Sequence, residues 1–137
     1  VVEDKFFTMS FAANQEFNAY LTRLGANDPD NNLRSEQAII LRMNAQNASF
    51  LTVYEGHGRY DNDEEVTVYN GGSVRDMAID TADGLASHKV ALASGRTVFL
   101  LTSDDPDKNK EHKISHDGTE LSWLGPVGLV FVDATDN

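Results

Sequence analysis

The chain nowhere sustains a helical period. No window keeps apolar residues at i, i+3, i+4 and i+7 over successive turns between capping residues. Instead, short runs rich in β-branched and aromatic residues recur, cut by clusters of Gly, Asn and Asp. That pattern predicts an all-β fold, a two-sheet antiparallel β-sandwich of about ten or eleven strands at the spacing usual for sandwiches. The predicted strands cover residues 6–12, 16–24, 36–43, 49–55, 65–69, 73–81, 88–93, 96–102, 112–116, 119–123 and 128–132. A length of 137 residues with 40% hydrophobic content suits one domain spanning 1–137 with a real core. No internal repeat, low-complexity segment or linker divides it.

Three hairpins are expected from turn chemistry. Asn70-Gly71-Gly72 joins 65–69 to 73–81, Ser94-Gly95 joins 88–93 to 96–102, and Asp117-Gly118 joins 112–116 to 119–123. Residues 56–63 read as a loop, and the charged stretch 103–110 around Pro106 reads as a mobile one. In the strand 49–55, Phe50, Thr52 and Tyr54 share one face, with Leu51 and Val53 opposite. The run Ala38-Ile39-Ile40-Leu41 is near-continuously apolar, which predicts a central strand covered on both faces. A lone hairpin is marginal, so a second sheet must cover each apolar face. Phe7, Phe11, Phe17, Phe50, Phe99, Phe131 and Trp123 are the expected fillers between the sheets.

Charge and composition narrow the function. The net charge is −11, from 22 acidic against 11 basic residues, which argues against nucleic acid or an anionic membrane as partner. There is no cysteine, so disulfides and thiolate metal sites are out. The opening Val1-Val2-Glu3-Asp4-Lys5 lacks the basic-then-apolar pattern of a signal peptide, and the missing initiator Met leads us to expect a piece excised from a longer chain.

The stretch 20–43 is the most distinctive. An apolar strand runs into Gly25. A polar loop with Asn27, Asp28, Asp30, Asn31 and Asn32 around Pro29 follows, and then a second apolar strand. Arg23, Arg34 and Arg42 flank the loop. Asn and Asp bond nearby backbone and tolerate unusual dihedrals, so an ordered hairpin loop accounts for it. Carboxamides and arginines are equally the groups that would meet a sugar acid. Residue chemistry leaves both readings open.

Arg23-Leu-Gly-Ala-Asn-Asp-Pro29, then Asn32-Leu-Arg-Ser-Glu36 and an apolar strand, resembles the C-terminal β-sheet region of oligoalginate lyases, polysaccharide lyase family seventeen of the heparinase II/III-like group. Phe50-Leu-Thr-Val-Tyr-Glu-Gly-His57-Gly58 is similar to a strand-end pattern of that group, which has Pro at the position of Gly56. The resemblance spans roughly residues 6–106. It implies a region of a larger lyase that acts by β-elimination and carries a helical toroid domain absent from this chain. It also implies a bacterial periplasmic or secreted setting, although composition by itself fixes no compartment.

Tyr54, His57, Arg59 and Tyr60 lie close together around a strand end. His and Tyr are suitable bases for abstracting the proton beside a uronate carboxylate. The family's catalytic Tyr and His belong to the toroid and the preceding β-region, and none of those motifs is present here, so no catalytic role transfers. The alternative is that His57 occupies a polar loop and Tyr60 packs over the sandwich edge.

The four histidines fit no zinc spacing: His112 and His116 share a strand face but stand roughly 13 Å apart along it. Calcium could use Asp28 and Asp30, or Asp61 and Asp63, although neither pair forms a calcium-loop pattern and solvated turn acids are the default. No other cofactor is expected.

The resulting reading is a non-catalytic, carbohydrate-associated module of an alginate lyase that binds alginate or its oligosaccharides. Its candidate ligand-binding residues are Arg23, Asn27, Asn32, Arg34, Tyr54, His57, Arg59 and Tyr60. The alternative is a structural domain that packs on the toroid catalytic domain and completes its cleft or dimer without binding sugar alone. An exposed apolar patch on one sheet favours the structural role, and an arginine–aromatic row lining a groove favours binding.

Overall fold

The computed structural model describes residues 6–25 and 35–133. Among the described residues it contains twelve strands and no helix. They are β1 Phe6–Ala13, β2 Asn18–Gly25, β3 Ser35–Arg42, β4 Phe50–His57, β5 Arg59–Asp61, β6 Val66–Val68, β7 Val74–Ala82, β8 Leu85–Leu92, β9 Thr97–Ser103, β10 Glu111–His116, β11 Thr119–Leu124 and β12 Val127–Val132. All pairings are antiparallel. The all-β class expected from the patterning is therefore the class observed.

The chain forms two compact units, Val1–Asn14 with Ser49–Asn137, and Gln15–Ala48. In the larger unit, a four-stranded sheet runs in the order β12-β9-β8-β7. The β10–β11 hairpin packs on one face of it, the layering of a sandwich. Alternation along the strands builds the core between them. Phe99 and Leu101 of β9 meet Ile114, Leu121 and Trp123 of the hairpin, with Leu85 and Val130 at the margin. Each such side chain contributes about 1.5–3 kcal/mol on leaving water. On the other face of the sheet, β1 and β4 pair with each other and lie against β7. Asn14 and Ser49 close this unit at the ends of that pair: the Asn14 amide donates to the Ser49 carbonyl at 3.2 Å, and the Ser49 amide to Asn14 Oδ1 at 3.1 Å. The smaller unit is the β2–β3 ribbon, in which Arg23 pairs with Gln37 and Leu21 with Ile39.

Several expectations need correction. Residues 65–69 and 73–81 do not pair. Strand β6 pairs with β5, inside the stretch read as a loop, and β7 pairs with β8. The β7–β8 turn is Asp83-Gly84, at φ of 49° and 77°, the left-handed pair a two-residue hairpin requires. The expected β8–β9 and β10–β11 hairpins form, the latter with Asp117 and Gly118 at φ of 50° and 79°.

Strand β3 is not covered on both faces: Ile39 and Ile40, which point to opposite sides, are both exposed. An apolar run records what a strand can be buried against, whereas a two-stranded ribbon supplies no layer of its own. Of the expected core aromatics, Phe99 and Trp123 are buried, but Phe7, Phe50 and Phe131 fall on outward positions of β1, β4 and β12 and are exposed. The stretch 103–110 is a chain of capped turns rather than a bare loop. Ser103 Oγ accepts from the Asp105 amide at 3.0 Å, Asp105 Oδ1 from Asp107 at 2.9 Å, and Asp107 Oδ1 from Asn109 at 2.9 Å.

Candidate functional site

The end of β4 and the start of β5 carry four of the five expected site residues that the structure describes. Leu51, Val53, Glu55 and His57 turn inward, while Phe50, Thr52, Tyr54 and Gly56 turn outward, as the two-residue period requires. Pairing with β1 sets Tyr54 opposite Met9 and Gly56 opposite Phe7. Tyr54 and Phe7 are thus diagonal neighbours on one face, at 74% and 73% exposure, with no side chain at Gly56 to fill the space between.

His57 is buried beneath this face. Thr8 Oγ1 lies 2.7 Å from its Nε2, Phe6 stacks on the ring at 5.8 Å, and Tyr69 meets it edge-on at 5.2 Å. Its Nδ1 is also buried and has no hydrogen-bond partner among the described residues. The ring therefore has no free nitrogen facing solvent.

The chain turns after it at Gly58. There φ is +76°, and a Cβ would sit 2.5 Å from Phe6 Cδ2 and 3.1 Å from the Val68 carbonyl oxygen, so only glycine fits. Arg59 and Tyr60 then emerge on β5, both exposed. The Arg59 guanidinium reaches Asp61 only at 3.9 Å and stays largely free in water.

Glu55 anchors the next segment. Its Oε1 accepts the Ser73 amide and hydroxyl, each at 2.6 Å, and the Val74 amide at 3.2 Å. The Ser73 hydroxyl bond is the main reason the carboxyl titrates below its ordinary value of 4.5. This clamp replaces the hairpin that Asn70-Gly71-Gly72 suggested.

Tyr54, His57, Arg59 and Tyr60 thus share one region of the larger unit, with His57 inside and the other three outside. Arg23 lies on β2 of the smaller unit, where it lines a shallow depression with Leu21, Thr22 and Gln37. Asn27, Asn32 and Arg34, and with them Asp28 and Asp30, lie outside the described residues. Asp61 is a turn former: its Oδ1 accepts the amides of Asp63 and Glu64 at 3.0 and 3.3 Å.

Sequence reasoning missed that all four histidines are buried, three of them hydrogen-bonded to side chains 29 to 49 residues away in sequence. His88 donates Nδ1–H to the Leu100 carbonyl at 3.1 Å, which leaves Nε2 to accept from the Ser49 hydroxyl at 2.9 Å. His112 stacks obliquely on Trp123 at 5.2 Å. His116 lies edge-on to Phe99, with Nδ1 3.0 Å from Ser87 Oγ.

Around His116 is a second cluster that the sequence did not reveal. Asp80 Oδ2 is 3.5 Å from Nδ1, and Asp117 Oδ2 is 3.9 Å from Nε2. Lys89 Nζ binds Asp117 at 2.7 Å and Asp76 at 3.3 Å. The Asp117 bond is the largest cause of the raised Lys89 pKa, and the same bond lowers that of Asp117. Only strand pairing brings these residues together. Asp80 is opposite Ser87, and the tip of the β10–β11 hairpin lies over both.

No family model matches the chain. Over 134 residues, 95% of this chain, it is 30% identical to an exo-oligoalginate lyase of Saccharophagus degradans. Over 126 residues, 91% of the chain, it is 29% identical to an alginate lyase of Stenotrophomonas maltophilia. The chain is related to a segment of alginate lyases. It spans 18% and 17% of the length of these two relatives. The likeness to the β-sheet region of oligoalginate lyases, first carried by the residues around Arg23 and Phe50, thus extends over nearly the whole lyase-related chain.

Proposed function

We propose that this chain is an accessory β-domain of an alginate lyase that performs no elimination itself and docks on the catalytic part of the enzyme through the outer face of β9 and β12. One observation carries this reading. Leu100, Val127, Leu129 and Phe131 form an apolar row on that face, and all four are exposed. The register sets Leu129 opposite Leu100 and Val127 opposite Thr102, so the row is continuous across the two strands. At the far end of the same sheet β1 lies against β7, and among the described residues no such layer covers β12 on this face. Contiguous exposed apolar surface of this kind marks an interaction site. The relatives supply the occupant, because most of their length lies outside the region matched.

A second reading is favoured by a separate observation. Phe7 and Tyr54 offer two open ring faces on the β1–β4 pair, with a solvent-facing arginine on the nearby β5. Rings of this kind pack against sugar faces, and a guanidinium pairs with uronate carboxylates.

Co-purification separates the two. The chain should form a complex with the catalytic region of a related alginate lyase, and Phe131→Asp should abolish it while Tyr54→Ala leaves it intact. If the two regions migrate separately while mannuronate or guluronate oligomers bind the chain with loss on Tyr54→Ala, the carbohydrate-binding reading replaces the docking one.

A further inference from the structure

We propose that Asp80, His116 and Asp117 form a zinc site that staples the tip of the β10–β11 hairpin to β7. One ring nitrogen of His116 and one carboxylate oxygen from each aspartate lie within 4.8 Å of one another. One imidazole and two carboxylates suit zinc, whereas calcium and magnesium take oxygen ligands.

The imidazole is preset for the role. His116 is 1% exposed, and Ser87 Oγ, 3.0 Å from Nδ1, can accept a hydrogen bond from Nδ1–H. A second atom holding Nδ1–H fixes the tautomer and leaves the Nε2 lone pair as ligand, the usual support of a metal-binding histidine. Nε2 is buried and has no hydrogen-bond partner among the described residues. Its 3.9 Å distance to Asp117 Oδ2 is too long for a hydrogen bond. Two ligands of one tetrahedral zinc stand about 3.4 Å apart, so half an ångström of closure joins Asp117 to Nε2. Asp80, whose nearest ring nitrogen is Nδ1 at 3.5 Å, must swing toward Nε2 to complete the set. The ring is locked, but the side chains of Asp80 and Asp117 are 50% and 65% exposed, so Asp80, and Asp117 once it parts from Lys89, can swing and open a path for the ion.

Electrostatics favour a cation here. Two carboxylates, Asp76 and Asp117, hold one ammonium, Lys89, and a third, Asp80, lies against His116, which is neutral as a ligand. Lys89 is the present counter-ion of Asp117, and Asp76 gives it a second partner at 3.3 Å to move to when a metal arrives. The net charge of −11 raises the local concentration of any divalent cation. Binding would tie Asp117 in the hairpin turn to Asp80 on β7, a cross-link between layers that the unfolded chain lacks, and so would stabilise the fold.

The test is zinc titration of the untagged chain by calorimetry, with thermal melts in parallel. One ion per chain and a rise in melting temperature of at least about 3 °C at saturation are expected. His116→Gln and Asp117→Asn should lose both effects. Lys89→Met removes the competing cation and should bind zinc more tightly than the unaltered chain. Absence of a zinc-dependent shift in both the unaltered chain and Lys89→Met overturns the proposal. So does zinc binding that survives both Asp80→Asn and Asp117→Asn, because those exposed substitutions spare the fold and would place the ion elsewhere.

Discussion

Glu55 shows how a single residue gains its role from the tertiary structure. In sequence it is merely the last residue of a predicted strand, yet it holds the start of β7 through three donors on Ser73 and Val74. Its folded pKa lies below the ordinary 4.5, so its stabilisation is present in full above that pH and is lost as pH falls through the depressed folded value. Glu55→Gln keeps the shape and removes the charge. Urea melts should show it less stable than the unaltered chain at neutral pH by about 0.5–1 kcal/mol, a modest figure because water screens the site. The difference should vanish once pH falls below the folded value. The histidines carry a similar lesson. Thr8, Ser49 and Ser87 reach His57, His88 and His116 across 49, 39 and 29 residues of sequence, and no local spacing announces such pairs.

At the scale of elements, the β10–β11 hairpin was the most legible and carries the core. Its alternation places His112, Ile114 and His116 on one face, and Asp117-Gly118 supplies the turn. Trp123 and Leu121 complete the buried layer against Phe99 and Leu101. Trp123→Ala should therefore cost about 3–5 kcal/mol, read from the denaturation midpoint. Leu124→Ala, one residue on but on the exposed face, should change stability by no more than about 0.5 kcal/mol. Equal losses at the two positions would mean that the hairpin is not the core layer described. Strand β3 and the Asn70-Gly71-Gly72 segment were misread for one shared reason. Apolar content and turn residues are local properties, whereas coverage and pairing depend on which other strand arrives.

At the scale of the molecule, an acidic chain related to alginate lyases carries an exposed apolar row and an enclosed histidine where a base had been considered. His57 is bonded to Thr8 and walled by Phe6 and Tyr69. Incubating the isolated chain with alginate should give no rise in absorbance from unsaturated uronate ends. A sustained rise abolished by changing His57 or Tyr60 would show that the β4–β5 region is a catalytic site after all.

The sequence by itself determined the all-β class, the position of nearly every strand, the inward and outward faces of β4, and the Asp117-Gly118 turn. These follow from a two-residue period and from left-handed backbone angles, both set by near neighbours in the chain. The tertiary structure decided that β7 pairs with β8 rather than β6, that Phe131 lies outside while Trp123 lies inside, and that Asp80, His116 and Asp117 converge. A strand with one apolar face can be satisfied by several neighbours, and the choice rests on hydrogen bonds and packing between segments far apart in sequence, which no local pattern encodes.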